Sequence, residues 1–417
     1  MTHLTAYTAR EARRLLRRPS VDELARVLSI AIAVGFASYF VLPTGTTRWI
    51  FYAGVLGPIV YLLKIQGLGD ASRSRVWQLG TALCCLSLVS VVWSEADLEG
   101  YFDAVREALI LALFLTGATV LAVRQQLDER WVVGLVVVAA GGSGLVVLAL
   151  AGQPWMNWGN GDRLIGLGWT AKNPNVVGSL YGAAAIAAVA AALRGQALGW
   201  RIGALAIAVI CGTCVVMSGS RTAMLGLVAA AFAFAFAANW RVVVGVLLGF
   251  GGVFAALQLA GVTSIEGLIA RGGSSRLEIW THTLPMVLDK LWLGAGSGTG
   301  YAVEPPVGSI HQKTHNVFVG TAYHLGGLGL SVLVLLTARV LWSALKLAVA
   351  GRAEYLAALT FGYAVLSLNG HTLVDQPEVS WFVLWLPVLL LVQREIAEPA
   401  SSLAATSVTG WEADTRR

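Results

Sequence analysis

The residues best suited to chemistry are one histidine, a few arginines and their polar neighbours. His315 is followed by Asn316 at the start of a hydrophobic segment. An imidazole takes up a proton near neutral pH, so a histidine in this position can act as a general base. Arginine binds phosphate through two parallel hydrogen bonds, which makes Arg163, Arg221 and Arg276 candidates for holding a phosphorylated group. The pattern predicts proton transfer beside bound phosphates.

Hydrophobic segments must position these residues, because they occupy most of the 417-residue chain, which is 57% hydrophobic and 12% charged. A bilayer core about 30 Å thick needs about 20 helical residues. Twelve segments qualify: 24–42, 48–66, 76–93, 105–123, 131–151, 174–193, 200–218, 221–238, 241–260, 316–339, 355–374 and 379–396. Lipid offers backbone groups no partner, so these segments must be helical. We therefore expect an all-α integral membrane protein with about twelve transmembrane helices.

Arginine and lysine indicate how this bundle is oriented. With the N-terminus in the cytoplasm, twenty of the 29 basic residues lie in cytoplasmic segments, as the positive-inside rule requires. The candidate histidine and arginines then lie on the outer side, where the loops are longer. The net charge of +6 is explained by this topology and by nearby anionic headgroups, so it does not indicate nucleic-acid binding.

The domain organisation follows from the same pattern. We expect one polytopic membrane domain flanked by two short cytoplasmic tails, with bounds 1–23, 24–396 and 397–417. The outer loops at about 152–173 and 261–315 are too long to be simple connectors. In the second loop, apolar residues at helical spacing predict an amphipathic helix. It lies either on the outer leaflet or against the other helices.

Several motifs of this chain resemble those of a known protein family. His315-Asn316, followed after nine residues by Gly326-x-x-Gly329, resembles the signature of bacterial O-antigen ligases and of the wider O-antigen ligase and polymerase superfamily. Further segments are similar in order and spacing, so that the resemblance covers about 160 to 340. They are Arg163 followed by Lys172–Asn175, the S-x-S-R of Ser218–Arg221, the R-x-x-x-W of Arg276–Trp280, and the glycine-rich Gly294–Gly300.

The resemblance implies a fold and a reaction. The fold is a GT-C-type glycosyltransferase architecture of about twelve helices with a large periplasmic loop in the bacterial inner membrane. The reaction transfers glycan from undecaprenyl diphosphate to the lipid A–core oligosaccharide, with inversion and without a metal or other cofactor. The resemblance does not indicate an oligomeric state. The catalytic residues would be His315 as general base with Arg276 and Arg221, and the substrate-binding residues Arg163, Lys172, Asn173, Asn175, Asn316, Trp280 and Asp375.

Metal chemistry has little support among six outer carboxylates, because they form no D-x-D or similar cluster. They are Glu266, Glu278, Asp289, Glu304, Asp375 and Glu378. A divalent ion bound to a diphosphate prefers such carboxylates, so arginine is the predicted source of charge stabilisation. Asp375, close to His371, is expected either to orient His315 or to contact the acceptor.

Three alternatives stay open at this stage. An O-antigen polymerase or a protein O-oligosaccharyltransferase would use the same donor chemistry. Polymerases often carry an arginine followed after fifteen residues by glycine, whereas here Ser179 and Trp292 stand at those positions after Arg163 and Arg276. A lipid-linked oligosaccharide flippase or other transporter also fits twelve helices. Transporters, however, place polar residues near the bilayer midplane, and here these residues cluster at one end.

Overall fold

The computed structural model describes residues 20–150, 163–167, 173–237, 240–259, 276–303 and 310–397. Lys172, most of the two long outer loops and most of both predicted tails lie outside these ranges. Within the described ranges the chain is helical and contains no β-strand element; one isolated antiparallel bridge joins Val303 and His311.

Thirteen helices can be numbered in this part of the chain. Their bounds are α1 Val21–Ser38, α2 Thr44–Gln66, α3 Arg75–Trp93, α4 Leu98–Val123, α5 Glu129–Leu150, α6 Pro174–Arg194, α7 Leu198–Ser218, α8 Arg221–Ala237, α9 Trp240–Leu259, α10 Arg276–Asp289, α11 Val317–Val349, α12 Ala353–Asn369 and α13 Leu386–Ala397. A short π-helical stretch, Trp381–Trp385, leads into α13.

The prediction of an all-α integral membrane protein is confirmed. Each of the twelve predicted segments coincides with one of these helices, and α10 coincides with the predicted amphipathic helix. Seven helices in the described residues, namely α2 to α7 and α11, are long and apolar enough by themselves to cross a membrane. The count of about twelve transmembrane helices stays a prediction.

Aromatic rings at the outer ends of α1, α2 and α4 form a rigid part of the core. Phe51 packs edge-on against Phe36, Phe114 and Trp381, with ring centroids 5.1, 6.2 and 5.6 Å apart. All four side chains are fully buried. Because edge-to-face ring pairs add to the free energy gained by burial, this cluster fixes the start of the C-terminal segment against the first helices.

Ion pairs divide the molecule into two ends. Arg124 pairs with Asp70 at 2.7 Å on the predicted cytoplasmic side, while Lys290 pairs with Glu95 at 3.0 Å on the predicted outer side. Every ion pair in the described part of the chain joins residues that the sequence assigns to the same side. The packing therefore agrees with the two groups of loops deduced from charge.

Helix α10 packs one face on the protein and leaves another uncovered. Ile279 and Thr283 are fully buried, and the Thr283 hydroxyl lies 2.6 Å from the Tyr301 hydroxyl. Leu277, Leu284 and Leu288 are 57–71% exposed. The sequence left two positions open for this helix, on the outer leaflet or against the other helices. Its buried and exposed faces are compatible with both. The uncovered leucines suit the apolar edge of a membrane.

Helix α11 is interrupted at Gly326, whose φ of 60° and ψ of −161° are not helical. The segment after α10 fits into this break. The amides of Ala295 and Gly296 donate to the carbonyls of Tyr323 and His324 at 2.8 and 2.9 Å, and the Gly327 amide donates to Leu291 at 2.7 Å. The glycine at this break therefore admits a loop, and not a neighbouring helix.

The glycine-rich segment is also held in place by hydrogen bonds to α3. The Ser297 amide donates to the Ser90 hydroxyl at 2.9 Å, and the Ser297 hydroxyl lies 2.8 Å from that of Ser87. Gly294, with φ of 68°, has no room for a side chain, since a Cβ would lie 2.5 Å from the Gly326 nitrogen. Glycine is required here by close backbone contact and positive φ.

A Gly326→Ala substitution is expected to destabilise the protein strongly. A Cβ at this position would lie 2.4 Å from the backbone of Trp292, and the residue has a φ that L-amino acids rarely adopt. Backbone cannot move aside as a flexible side chain can, so we expect a cost of at least about 2 kcal/mol. The measurement is the melting temperature of the purified protein in detergent. Gly134→Ala, where nothing lies within 4 Å of the added Cβ, is the matched control. Equal melting temperatures for the two variants would contradict this account of the break.

Candidate active site

Arg163 anchors the first part of the site to the α7–α8 turn. Its Nε donates to the Ser218 carbonyl at 2.8 Å, and its terminal amino group donates to the Asn175 side-chain oxygen at 2.9 Å. The Asn173 side chain in turn accepts from the Asn175 amide at 2.9 Å and caps α6. Three of the predicted binding residues are therefore in contact. Arg163 is half-buried and holds the start of α6 beside the turn that leads to Arg221.

The serines of the S-x-S-R motif shape that turn. Gly219 is left-handed, with φ of 57°, and ends α7. The Ser220 amide donates to the Ser218 hydroxyl at 3.2 Å, and the Ser220 hydroxyl accepts from the Ala223 amide at 3.4 Å. Arg221 is consequently the first residue of α8. A helix N-terminus carries partial positive charge and favours anions, which adds to the charge of the arginine.

Arg276 meets Arg221 from the other side. Its terminal amino group donates to the Thr222 hydroxyl at 3.0 Å, 54 residues away in sequence. Burial, and then the nearby charge of Arg221, lower the pKa of Arg276. Two half-buried guanidinium groups lie at the starts of α8 and α10, and an anion bound beside them would be stabilised by both. We name Arg163, Arg221 and Arg276 the arginine cluster.

His315 lies within the field of this cluster. Burial, and then the charge of Arg276, lower the pKa of the imidazole below its ordinary value of 6.5, so the ring is neutral at neutral pH. Its Nδ1 is buried and has no hydrogen-bond partner among the described residues. Its backbone φ is 51°, a sparsely populated region for a residue other than glycine. Such strain persists only where the surroundings hold the residue in place.

Neighbouring residues supply that restraint. The Trp280 indole donates to the Thr314 carbonyl at 2.9 Å, and the Asn316 side chain accepts from the Phe318 and Val319 amides at 2.8 and 3.1 Å. Both had been expected to bind substrate. Their described contacts are to the backbone on either side of His315, where they fix the direction in which the imidazole points. Asn316 is the N-cap of α11.

A pair of buried imidazoles supports the same loop from behind. His324 Nδ1 lies 3.2 Å from the Gly296 carbonyl, and its Nε2 lies 3.2 Å from Nε2 of His371. His371 Nδ1 accepts from the Thr314 amide at 3.3 Å. Since the carbonyl of Gly296 can only accept, the network assigns a proton to His324 Nδ1 and another to His371 Nε2. Burial, and then His324, lower the pKa of His371 well below 6.5, in agreement with a neutral pair.

This imidazole pair, which we call the histidine pair, was missed as part of the site. His324 is buried, with 7% of its surface exposed. Its contact with His371, 47 residues away, has no local signal in the chain. Three further contacts were missed for the same reason. Thr222 accepts a hydrogen bond from Arg276, the Thr314 amide donates to His371, and Asn369 is hydrogen-bonded to the His315 side chain.

Asp375 lies in the loop between α12 and the π-helical stretch. In the described part of the chain its carboxylate makes no hydrogen bond to His315, and it accepts instead from the Gln376 amide at 2.8 Å. Burial, and then the charges of Glu378 and Glu107, raise the pKa of Asp375 well above 3.8. These contacts are not to His315, and an orienting role stays a prediction. Contact with the acceptor stays a prediction, as does the role of Lys172.

His311 is a second histidine close to His315. It exchanges two backbone hydrogen bonds with Val303, at 3.0 and 2.8 Å, and α11 begins only at Val317. Its ring lies 6.2 Å from that of His315, centroid to centroid. The two histidines are thus neighbours in an extended loop, not in a helix.

Comparison with known proteins agrees with the motifs. A family model described as O-antigen ligase matches residues 206–334, which contain α8 to α10 and His315. A protein of Pseudomonas aeruginosa described as an O-antigen ligase is 26% identical over 357 residues, covering 82% of this chain and 84% of that protein. The residues matched by the family model lie inside the segment of about 160 to 340 that carries the motifs. The chain is therefore similar to the O-antigen ligase family in residues 206–334, and to one bacterial O-antigen ligase over most of its length.

Proposed function

We propose that this protein transfers a glycan from undecaprenyl diphosphate to a hydroxyl of the lipid A–core oligosaccharide. His315 removes the proton of the acceptor hydroxyl. The oxygen forms a bond to the anomeric carbon of the donor from the face opposite the diphosphate, while the bond between that carbon and the diphosphate oxygen breaks. Undecaprenyl diphosphate leaves with the electron pair, and the anomeric configuration is inverted.

The observation that carries this proposal is a neutral imidazole beside two adjacent guanidinium groups. A base must be unprotonated to accept a proton, and the burial and charge around His315 keep it so. The leaving diphosphate gains negative charge as its bond to carbon breaks. Arg276 and Arg221 offer fixed positive charge where this negative charge develops. They therefore stabilise the transition state more than the ground state.

The membrane supplies the remaining geometry. The donor has its lipid tail in the bilayer and its phosphates at the surface, so a site at the ends of the helices fits it. We place this end in the periplasm, with the tails 1–23 and 397–417 in the cytoplasm. The support is the excess of arginine and lysine at the opposite end.

Cysteine labelling measures this orientation. In a Cys85→Ser background, Gln312→Cys is expected to react with a membrane-impermeant maleimide in cells whose outer membrane is permeabilised, because Gln312 is exposed beside the site. Ser72→Cys, exposed at the other end, is expected to react only after the inner membrane is lysed. The reverse result would place the site in the cytoplasm and remove the basis of the proposal.

The activity itself is tested by reconstitution. Purified protein, undecaprenyl-diphosphate-linked glycan and lipopolysaccharide lacking O-antigen should give glycosylated lipopolysaccharide and free undecaprenyl diphosphate. Because arginines supply the charge in this scheme, we expect EDTA to leave the rate unchanged. Inhibition by EDTA that a divalent ion reverses would show that a metal has a part in the reaction. A product that contains lengthened donor glycan and no lipid A would identify a polymerase.

The pH dependence follows from the pKa of His315. The neutral ring is the active form, so kcat/KM is lost as the pH falls through that pKa. Since burial and Arg276 lower it, we expect the acid limb below pH 6.5. Lys313 also lowers this pKa, so Lys313→Gln should move the limb towards higher pH. The measurement is kcat/KM against pH for both proteins, and a limb that moves the other way would contradict the assignment.

A further inference from the structure

A cavity of about 280 Å³ lies beside the site and contains none of the predicted site residues. It is bounded by the outer parts of α3, α4 and α11, by the glycine-rich segment and by the loop before α13. Its polar walls include Asp103, Glu107, Thr321, Thr372 and the two members of the histidine pair. The volume is near the lower end of the range for small-molecule sites, enough for one sugar ring.

The charge of this cavity is opposite to that of the arginine cluster. Two carboxylates line it, and no lysine or arginine does, within the described part of the chain. Arg106 pairs with Asp103 at 2.9 Å and approaches Glu107 at 3.8 Å, but its side chain is exposed and is not part of the wall. Such walls offer a diphosphate no cationic partner. The donor phosphates therefore belong at the arginine cluster and not here.

The walls are suited to a ligand rich in hydroxyl groups. Carboxylates accept hydrogen bonds from hydroxyls, and these charge-assisted bonds are stronger than neutral ones. Hydroxyls such as those of Thr321 and Thr372 donate and accept. Glu107 lies in the third turn of α4, within a helix apolar enough to span a membrane. An ionisable residue in that setting indicates a functional site, because its burial is costly.

The cavity is joined to His315 through one residue. His371 is part of the wall, and its Nδ1 accepts from the Thr314 amide at 3.3 Å. Thr314 directly precedes His315. A Cβ at Gly320 would lie 1.8 Å from the His371 carbonyl oxygen, so the first turn of α11 is packed directly on this loop. The base thus stands between a positively charged cluster and a negatively charged, hydroxyl-lined cavity.

We infer that this cavity binds an uncharged sugar residue of the acceptor oligosaccharide, so that its neighbouring hydroxyl is directed at His315. The inference rests on the proposed function and adds a location for the second substrate. Glu107 and Asp103 accept hydrogen bonds from the hydroxyls of this sugar. The walls also select against an acceptor that carries phosphate at this ring.

The test separates the two substrates kinetically. Glu107→Gln keeps the shape of the side chain but replaces one carboxyl oxygen with an amino group, and losing one strong hydrogen bond corresponds to about 10-fold in affinity. We expect the KM for acceptor to rise about 10-fold, with the KM for donor and the binding of undecaprenyl diphosphate unchanged. Thr321→Val, which removes a wall hydroxyl at similar volume, should raise the acceptor KM in the same direction. Glu99→Gln, exposed on the same helix and outside the cavity, is the matched control.

Three results would overturn the inference. They are an acceptor KM unchanged in both Glu107→Gln and Thr321→Val, a rise in donor KM of equal size, or the same effect in Glu99→Gln. Failure of the proposed function looks different: wild-type protein would then neither bind undecaprenyl diphosphate nor transfer glycan. A soluble core oligosaccharide freed from lipid A provides a second probe. It should inhibit wild-type protein competitively with acceptor and inhibit Glu107→Gln more weakly.

Discussion

Replacing His315 with alanine should lower the rate of glycan transfer by about 10²–10⁴-fold, the contribution of a general base. The ring is held neutral by burial and by Arg276, and its Nδ1 is buried without a partner among the described residues. Alanine therefore removes the proton acceptor, together with the hydrogen bond between the imidazole and Asn369. The measurement is the initial rate in the reconstituted reaction, with the amount of folded protein determined by size-exclusion chromatography. Cells carrying the variant should accumulate lipid-linked donor and make lipopolysaccharide without O-antigen.

His311→Ala is the matched control for this prediction. Its backbone, not its imidazole, makes the contacts with Val303, so the variant should keep most of the activity. A His315→Ala variant as fast as wild type in the purified reaction would show that another group accepts the proton. If instead the donor accumulated on the cytoplasmic face of the membrane, a flippase would be the better description.

Arg276→Lys should reduce kcat/KM about 10–100-fold, although the charge is kept. Lysine has no planar fork, so a bidentate contact with a phosphate becomes a single one, and one charge-assisted hydrogen bond contributes about 1.5–3 kcal/mol. The bond from Arg276 to the Thr222 hydroxyl is also lost, which frees the start of α10 from α8. Steady-state kinetics with varied donor give the value. Arg221→Ala should have an effect at least as large, because it removes the charge entirely.

Arg48→Lys provides the comparison for the arginine series. Arg48 lies at the same end of the molecule, but it pairs with Glu378 and is not part of the arginine cluster. Its conservative replacement should leave the donor KM unchanged. Equal losses in Arg48→Lys and Arg276→Lys would mean that the effect comes from general surface charge and not from the cluster.

The sequence was sufficient to predict the residues of the cluster because charge and hydropathy act over long stretches. The arginine and lysine bias assigns Arg163, Arg221, Arg276 and His315 to one end of the bundle, and the contacts of Arg163, Arg276 and His315 agree. Helix positions followed from the length that a bilayer imposes. Both inferences depend on a physical constraint that applies to any chain in a membrane.

No comparable physical constraint allows contacts between residues distant in sequence to be predicted. His324 and His371 are each ordinary in their local sequence, and only the packing of α11 against the loop before α13 brings their rings together. The roles of Trp280 and Asn316 were assigned to substrate because a polar side chain near a site is ambiguous in sequence. Their backbone partners, the Thr314 carbonyl and the α11 amides, become visible only in three dimensions.

The break in α11 has a consequence for how the protein is made. At membrane depth a helix that loses its own hydrogen bonds must find other partners. The carbonyls of Tyr323 and His324 find theirs in the amides of Ala295 and Gly296, which are synthesised about thirty residues earlier. That segment must therefore already be translocated when α11 enters the bilayer, so biogenesis has a fixed order. Insertions between residues 298 and 314 should be tolerated during assembly, whereas a change of length between 290 and 297 should halt it.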